Sequence, residues 1–204
     1  KSSQTYQNYL TPKLSLRFNP HDMKNYSSSA RNIDAHNVFA INRLGLSDTL
    51  ESGKSLTLGL DYSNERKNDL NEINNYFELK LATVLRDREE KFIPKKSTIN
   101  KKNSNLFGSI KNEFSENLEI GYNFSLDNDI NTLEYNNINT TFSINNVVTK
   151  FNFIEENGER GESNILASSI SYELDDNKFL SFKTRKNRKL NLTEFYDLVY
   201  EYKN

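Results

Sequence analysis

Three kinds of residue grouping in this 204-residue chain have the composition of chemical sites. Asp127, Asp129 and Asn131 follow the D-x-D-x-N spacing that opens a calcium loop. Such a loop also needs Gly at its sixth position and Glu at its twelfth, where this chain has Thr132 and Ile138. A hairpin turn between two apolar runs accounts for the same residues without exceptions. The only histidines are His21 and His36, and no third ligand stands at a recognisable metal spacing. Glu89–Glu90, Glu155–Glu156 and Asp175–Asp176 are adjacent carboxylates. On a strand or turn, neighbours point apart, so none of these makes an acid and base pair. The serines lack the strained elbow of a hydrolase. With no Cys, disulfides, thiolate metal sites and Cys nucleophiles are excluded for these residues. Neither a catalytic residue, a metal site nor a cofactor is expected.

Two basic clusters remain. One runs from Arg86 to Lys102 and carries Arg88, Lys91, Lys95, Lys96 and Lys101 between them; the other is Lys183, Arg185, Lys186, Arg188 and Lys189. Such clusters meet phosphates, of nucleic acid or of an anionic glycolipid, or are simply solvated loop charge. The formal net charge of −1 argues against nucleic acid as a partner.

The elements that must position these residues follow from a second oddity. Apolar residues make up 35% of the chain, below the roughly 45–50% of an ordinary globular core. Yet Tyr and Phe are plentiful, and the apolar residues are patterned. Leu56, Leu58, Leu60 and Tyr62 alternate with Ser55, Thr57, Gly59 and Asp61. Leu118, Ile120, Tyr122, Phe124 and Leu126 alternate with Glu119, Gly121, Asn123 and Ser125. The same period of two recurs at 14–18, 77–85, 147–153 and 166–174, and more weakly at 36–42, 105–114, 134–144 and 179–186. The tail, Leu190–Asn204, reads as a strand through Tyr196, Leu198, Tyr200 and Tyr202, or as a helix through Leu192, Phe195, Val199 and Tyr202. Its alternating neighbours decide for the strand. About eleven strands are therefore expected.

Tight turns are expected at 115–117, 145–146 and 175–178, with longer links at 43–54, 86–104, 127–131, 155–163 and 186–194. Short turns on one side and long loops on the other are a barrel's habit, although the early links at 19–36 and 64–75 break the pattern. No run of ~18 apolar residues forms a transmembrane helix. Strands with alternate residues apolar are the other way across a membrane, and a soluble sandwich gives the same alternation. Aromatic residues near strand ends (Tyr62, Tyr76, Phe114, Tyr135, Phe179, Tyr202) suit an interfacial girdle.

The stretch NVFAINRLGLSDTLESGKSLTLGLDYS, 37–63, resembles the barrel of the lipopolysaccharide-assembly outer-membrane family, LptD. So does LSFKTRKNRKLNLTEFYDLVYEYKN, 180–204, through Leu-Thr-Glu-Phe-Tyr and Tyr-Glu-Tyr-Lys-Asn; LSLRFNPHDMKN, 14–25, is a weaker match. The resemblance implies an all-β, antiparallel transmembrane barrel in the outer membrane of a Gram-negative bacterium. Residues 1–204 would form a single segment of that barrel, incomplete at both ends, with a periplasmic jellyroll upstream. It implies a translocon that inserts lipopolysaccharide into the outer leaflet, and no enzyme. Its expected partners are lipopolysaccharide, the plug lipoprotein LptE, the periplasmic bridge protein LptA and outer-membrane lipid. On this reading Lys80, Lys150, Lys183 and Arg185, set opposite the apolar face, point into the lumen toward anionic sugars or the plug. Another large barrel, such as a porin or nutrient receptor, or a surface adhesive β-protein, would show the same alternation.

Overall fold

The computed structural model describes residues 5–67, 73–175 and 177–203. Ten strands lie among them: β1 (Thr5–Asn19), β2 (Gly53–Lys67), β3 (Ile73–Arg86), β4 (Leu106–Ser115), β5 (Leu118–Leu126), β6 (Leu133–Ile144), β7 (Val147–Glu156), β8 (Ser163–Asp175), β9 (Lys178–Asn187) and β10 (Leu192–Tyr202). They form one antiparallel sheet in chain order, each strand bonded to its sequence neighbours. β1 and β10 are the sheet's edges, so the sheet is not closed.

Register keeps the alternation in phase through the body of every ladder, the shifts at Arg66–Lys67, Glu113–Ser115, Ser125–Leu126, Glu173–Asp175 and Thr193–Phe195 falling near strand ends. Leu60 pairs with Pro12 and Leu81, while its neighbours Gly59 and Asp61 pair with Lys13 and Ala82, and with Thr11 and Lys80. A slip of one residue would turn an apolar row onto the polar face. The tail follows suit as β10, with Leu198 opposite Phe182 and Tyr196 opposite Thr184.

Among the described residues nothing packs on the apolar face. Leu16 is 77% exposed and Leu198 70%, at opposite edges, and Leu58, Phe142, Phe151 and Phe182 between them are also exposed. Nine strand spacings make this face about 43 Å wide. With a height near 25 Å, it far exceeds the roughly 300–600 Å² of a soluble monomer's largest apolar patch.

One expected strand is absent. Residues 36–42 form turns within the link 20–52. The Asp34 carboxylate accepts the backbone N–H groups of His36 at 2.8 Å and Asn37 at 2.9 Å, and the Asp34 carbonyl accepts that of Val38 at 3.1 Å. That turn rolls Ala35 and Val38 inward, so their spacing serves a loop core rather than a strand face. Removing this strand from the expected eleven also removes the break in the loop pattern. The links 20–52, 87–105, 127–132, 157–162 and 188–191 lie at one end of the sheet, and the short intervals 116–117 and 145–146 at the other, with the strand ends Lys67, Ile73, Asp175 and Lys178. Residues 68–72, Asp176 of one carboxylate pair, and Asn204 lie outside the described residues.

The core is small and sits on the polar face. Met23, Ile33, Val38, Leu44, Ile93 and Ile99, from the links 20–52 and 87–105, pack on Ala82, Val84 and Phe107. Gly59 makes room for this packing: a Cβ there would stand 2.6 Å from the Phe39 ring. The aromatic girdle is only partly as expected. Tyr62 and Tyr202 share the apolar face, and Phe114 falls in a bulge. Tyr76, Tyr135 and Phe179 lie on the polar face, where Tyr76 donates to Glu78 at 2.9 Å and Tyr135 meets Arg160.

Candidate functional site: the polar face and its loop cap

The registers place Lys80, Lys150, Lys183 and Arg185 on one face, the polar one. Lys80 stands between Asp61 and Ser109, Lys150 between Thr141 and Ser169, Lys183 between Ser169 and Asp197, and Arg185 between Ala167 and Phe195. The last three share β7 to β9, while Lys80 is four strands away on β3. Their partners differ. Lys80 forms an ion pair with Glu78 at 2.5 Å, and Arg185 with Glu194 at 2.8 Å. Lys150 and Lys183 make neither an ion pair nor a hydrogen bond among the described residues, and both are exposed. On β5 to β7 the face is lined by amides: Asn137 accepts from Asn123 at 3.4 Å and Asn139 at 3.3 Å, and donates to Asn152 at 3.3 Å. Charge mostly paired in place, interleaved with amides and hydroxyls, makes a hydrated surface suited to sugars rather than to acyl chains.

Over β2 to β4 this face is capped by the long links, held by charges of which only Arg86 stands in one of the basic clusters. Arg43 is 1% exposed and clasps Glu51 with both arms of its fork, Nε to Oε2 at 2.7 Å and Nη2 to Oε1 at 2.6 Å. Its Nη1 donates to Thr57 Oγ1 at 2.9 Å and its Nη2 to Ser55 Oγ at 3.1 Å, which ties the link to β2. From β3, Arg86 donates to the same Glu51 oxygen and to the Ser52 carbonyl. Burial pushes the Glu51 carboxyl up, but the bound Arg43 and the charges of Arg43, Arg86 and Arg17 outweigh it and hold the group below its ordinary value. Arg160, in the turn Gly158–Arg160, reaches from the β7–β8 link into the cap. It donates to the Ile33 carbonyl at 2.8 Å, with its guanidinium 4.9 Å from the Tyr135 ring centre and 5.9 Å from that of Phe107. Burial lowers its pKa from the ordinary value.

The residues first singled out for chemistry are dispersed. Asp127 spends its carboxylate on its own turn, accepting the N–H groups of Asn131 at 2.7 Å and Thr132 at 3.1 Å, bonds that lower its pKa. His36 Nε2 lies 3.0 Å from Ser109 Oγ and helps seat the cap, and the backbone N–H of His21 donates to the Asn19 side chain at 3.1 Å. In the first basic cluster, Lys91 lies 5.0 Å from the Phe92 ring centre and Lys101 pairs with Glu159 at 3.2 Å; in the second, Lys189 pairs with Glu162. Among the described residues no group of three His, Cys, Asp or Glu side chains could hold a metal ion. Arg43, Glu51 and Arg160 lie in links with no periodicity to single them out. Arg43 and Glu51 fall in the stretch 37–63 that carries the family resemblance, which gives neither a role, and Arg160 has no signal beyond the charge of its link.

No curated protein sequence matches the chain. The family model described as LptD, LPS transport system D, matches residues 1–177, which includes every element of the cap and the sheet from β1 into the turn after β8. Most of the chain, and all of the capped polar face, is thus accounted for by one family, and the chain belongs to the LptD family of lipopolysaccharide transport.

Proposed function

We propose that the ten strands are a sector of a transmembrane β-barrel in the outer membrane of a Gram-negative bacterium, within the translocon that inserts lipopolysaccharide into the outer leaflet. The observation that carries this reading is the division of the sheet into one bare apolar face and one hydrated polar face, held in register through all nine ladders. An amphiphile with phosphorylated sugars and acyl chains needs a wet path for its head beside an exit for its tails. The polar face supplies the first, and the apolar face meets lipid. Strand lengths agree: β4 to β10 span 9 to 13 residues, close to the ~9–11 that cross a bilayer when tilted. In hydrocarbon every backbone N–H and C=O needs a partner, so β1 and β10 pair with further strands of the same barrel. The short intervals face the periplasm and the capped end faces outward, as loops of such barrels do. LptE as the plug and LptA as the periplasmic donor complete the reading, with Lys80, Lys150, Lys183 and Arg185 turned to anionic sugars or the plug. The chemistry is movement rather than bond-making, so no catalytic residue is assigned.

A photo-crosslinking residue at Asn137, on the polar face, and one at Leu58, on the apolar face, test this in the full-length protein in cells. Adducts with lipopolysaccharide from position 137 during active transport support the reading. Adducts absent at 137 while a periplasmic donor is loaded and crosslinking elsewhere in the protein would overturn it.

A further inference from the structure

The polar face carries nine cations in its described strands, and seven are engaged. Lys13 pairs with Asp61, Arg17 donates to the Ile41 and Ala40 carbonyls at 2.6 Å each, and Lys67 stands 3.8 Å from Glu65. Lys80 and Arg185 are paired as above, Arg86 is bound to Glu51, and Lys111 contacts Glu113 at 2.7 Å and Glu119 at 3.4 Å. The exceptions, Lys150 and Lys183, are not scattered. They flank Ser169 on one cross-strand row, and Ser171 and Ser181 form the next row beside it. Two strand spacings separate their backbones by about 9–10 Å, within reach of two extended lysines converging on one tetrahedral anion. Small hydroxyl side chains between them leave room for that anion and donors for its oxygens. Asp197, opposite Lys183, lies outside ion-pair distance of it and can accept from a neighbouring sugar hydroxyl. This sector also lies clear of the cap, which occupies β2 to β4.

We infer that Lys150 and Lys183, with Ser169 between them, form a binding station for a phosphate carried on a saccharide, and that Lys80 and Arg185 do not belong to it. The inference rests on the reading of the polar face as the lipopolysaccharide path, and narrows it to one place. Two ammonium groups without counter-ions favour a doubly charged phosphate over a single carboxylate, and charge-assisted bonds of this kind are the strong ones.

The test places the photo-crosslinking residue at Ser171, beside the station, in the full-length protein, in K150Q, K183Q and K150Q/K183Q backgrounds and in K111Q, a paired lysine of the same face, as control. The probes are purified lipopolysaccharide, the same lipopolysaccharide with its phosphates removed, and phosphatidylglycerol. Adducts with intact lipopolysaccharide should fall at least ~10-fold in the double variant and stay within about twofold in K111Q. The dephosphorylated probe should lose the same factor in the parent and nothing further in the double variant. Equal adducts from phosphatidylglycerol would show a site for any lipid phosphate and overturn the saccharide assignment. Adducts at both 137 and 171 that ignore the two lysines would overturn the station alone. Adducts at neither position would overturn the path itself. K150R/K183R keeps the charge and should restore the yield, which separates binding from misfolding.

Discussion

Replacing Glu51 by Gln perturbs the cap at its centre while keeping its shape. Glu51 accepts three charge-assisted bonds, two from Arg43 and one from Arg86, whose side chains are 1% and 0% exposed. A Gln offers one acceptor oxygen and turns an amide N–H toward a guanidinium, leaving two buried cations without a counter-charge. Removing one partner of a buried ion pair costs about 3–5 kcal/mol. At about 1.36 kcal/mol per tenfold, that corresponds to roughly 10²–10⁴ in the opening equilibrium of the link 20–52. Hydrogen exchange in detergent micelles reads this directly on the amides of Val38, Ala40 and Gly45, which bond within the link at 3.0–3.1 Å. Their protection should fall by at least ~100-fold in E51Q, while the β5–β7 amides stay unchanged. The exposed pair Lys24–Asp48 is the comparison: D48N should leave the same amides nearly untouched, because solvent-exposed pairs contribute little. The pH dependence has a fixed sign. The Glu51 pKa is depressed on folding from its ordinary 4.5, so its contribution is complete above that pH and is lost as the pH falls below it. Protection in E51Q within twofold of the parent, at neutral pH, would refute the reasoning.

Two further substitutions probe the two faces. Leu58→Arg puts a charge in the middle of the apolar face, and should lower the folding stability of the full-length protein in lipid by ~2–4 kcal/mol, read by denaturant titration in vesicles. Gly59→Val, one residue away on the other face, drives a side chain into the Phe39 ring and should release the cap, costing about 1–3 kcal/mol and exposing Phe39 to solvent-accessible labels without unpairing β2 from β3.

The sheet was legible because its strands alternate apolar residues on one face with polar contacts on the other. Thr57, Asp61 and Asn123 declare their face by position alone. The tail could be assigned only from its neighbours, since its apolar residues fit two periods, and the ladder to β9 settled it. The error at 36–42 has a specific cause. Val38 and Ala40 are two apart, but Asp34 caps a turn there, and a local side-chain bond outweighs the weak alternation of a short run. Parity sets Lys80, Lys150, Lys183 and Arg185 opposite the apolar face, but parity is silent on partners. That Glu78 neutralises Lys80 could be suspected from its i, i+2 spacing, whereas Glu194 reaching Arg185 depends on the ladder and a bulge. Arg43, Glu51 and Arg86 come together from the link 20–52 and the end of β3, and Arg160 reaches the cap from another link, through tertiary packing, so no local period announces their contacts.

The central claim is that one face meets lipid and the other water. These 204 residues contain no Cys, so once any cysteine elsewhere in the full-length protein is replaced, single cysteines along β4 and β5 report on it: positions 113, 119 and 123 on the polar face, and 120, 122 and 124 on the apolar face. In the full-length protein in native outer membranes, a membrane-impermeant maleimide should label the first three. The second three should resist it and react only with a lipid-soluble probe. Labelling of both sets by the impermeant reagent would contradict the account.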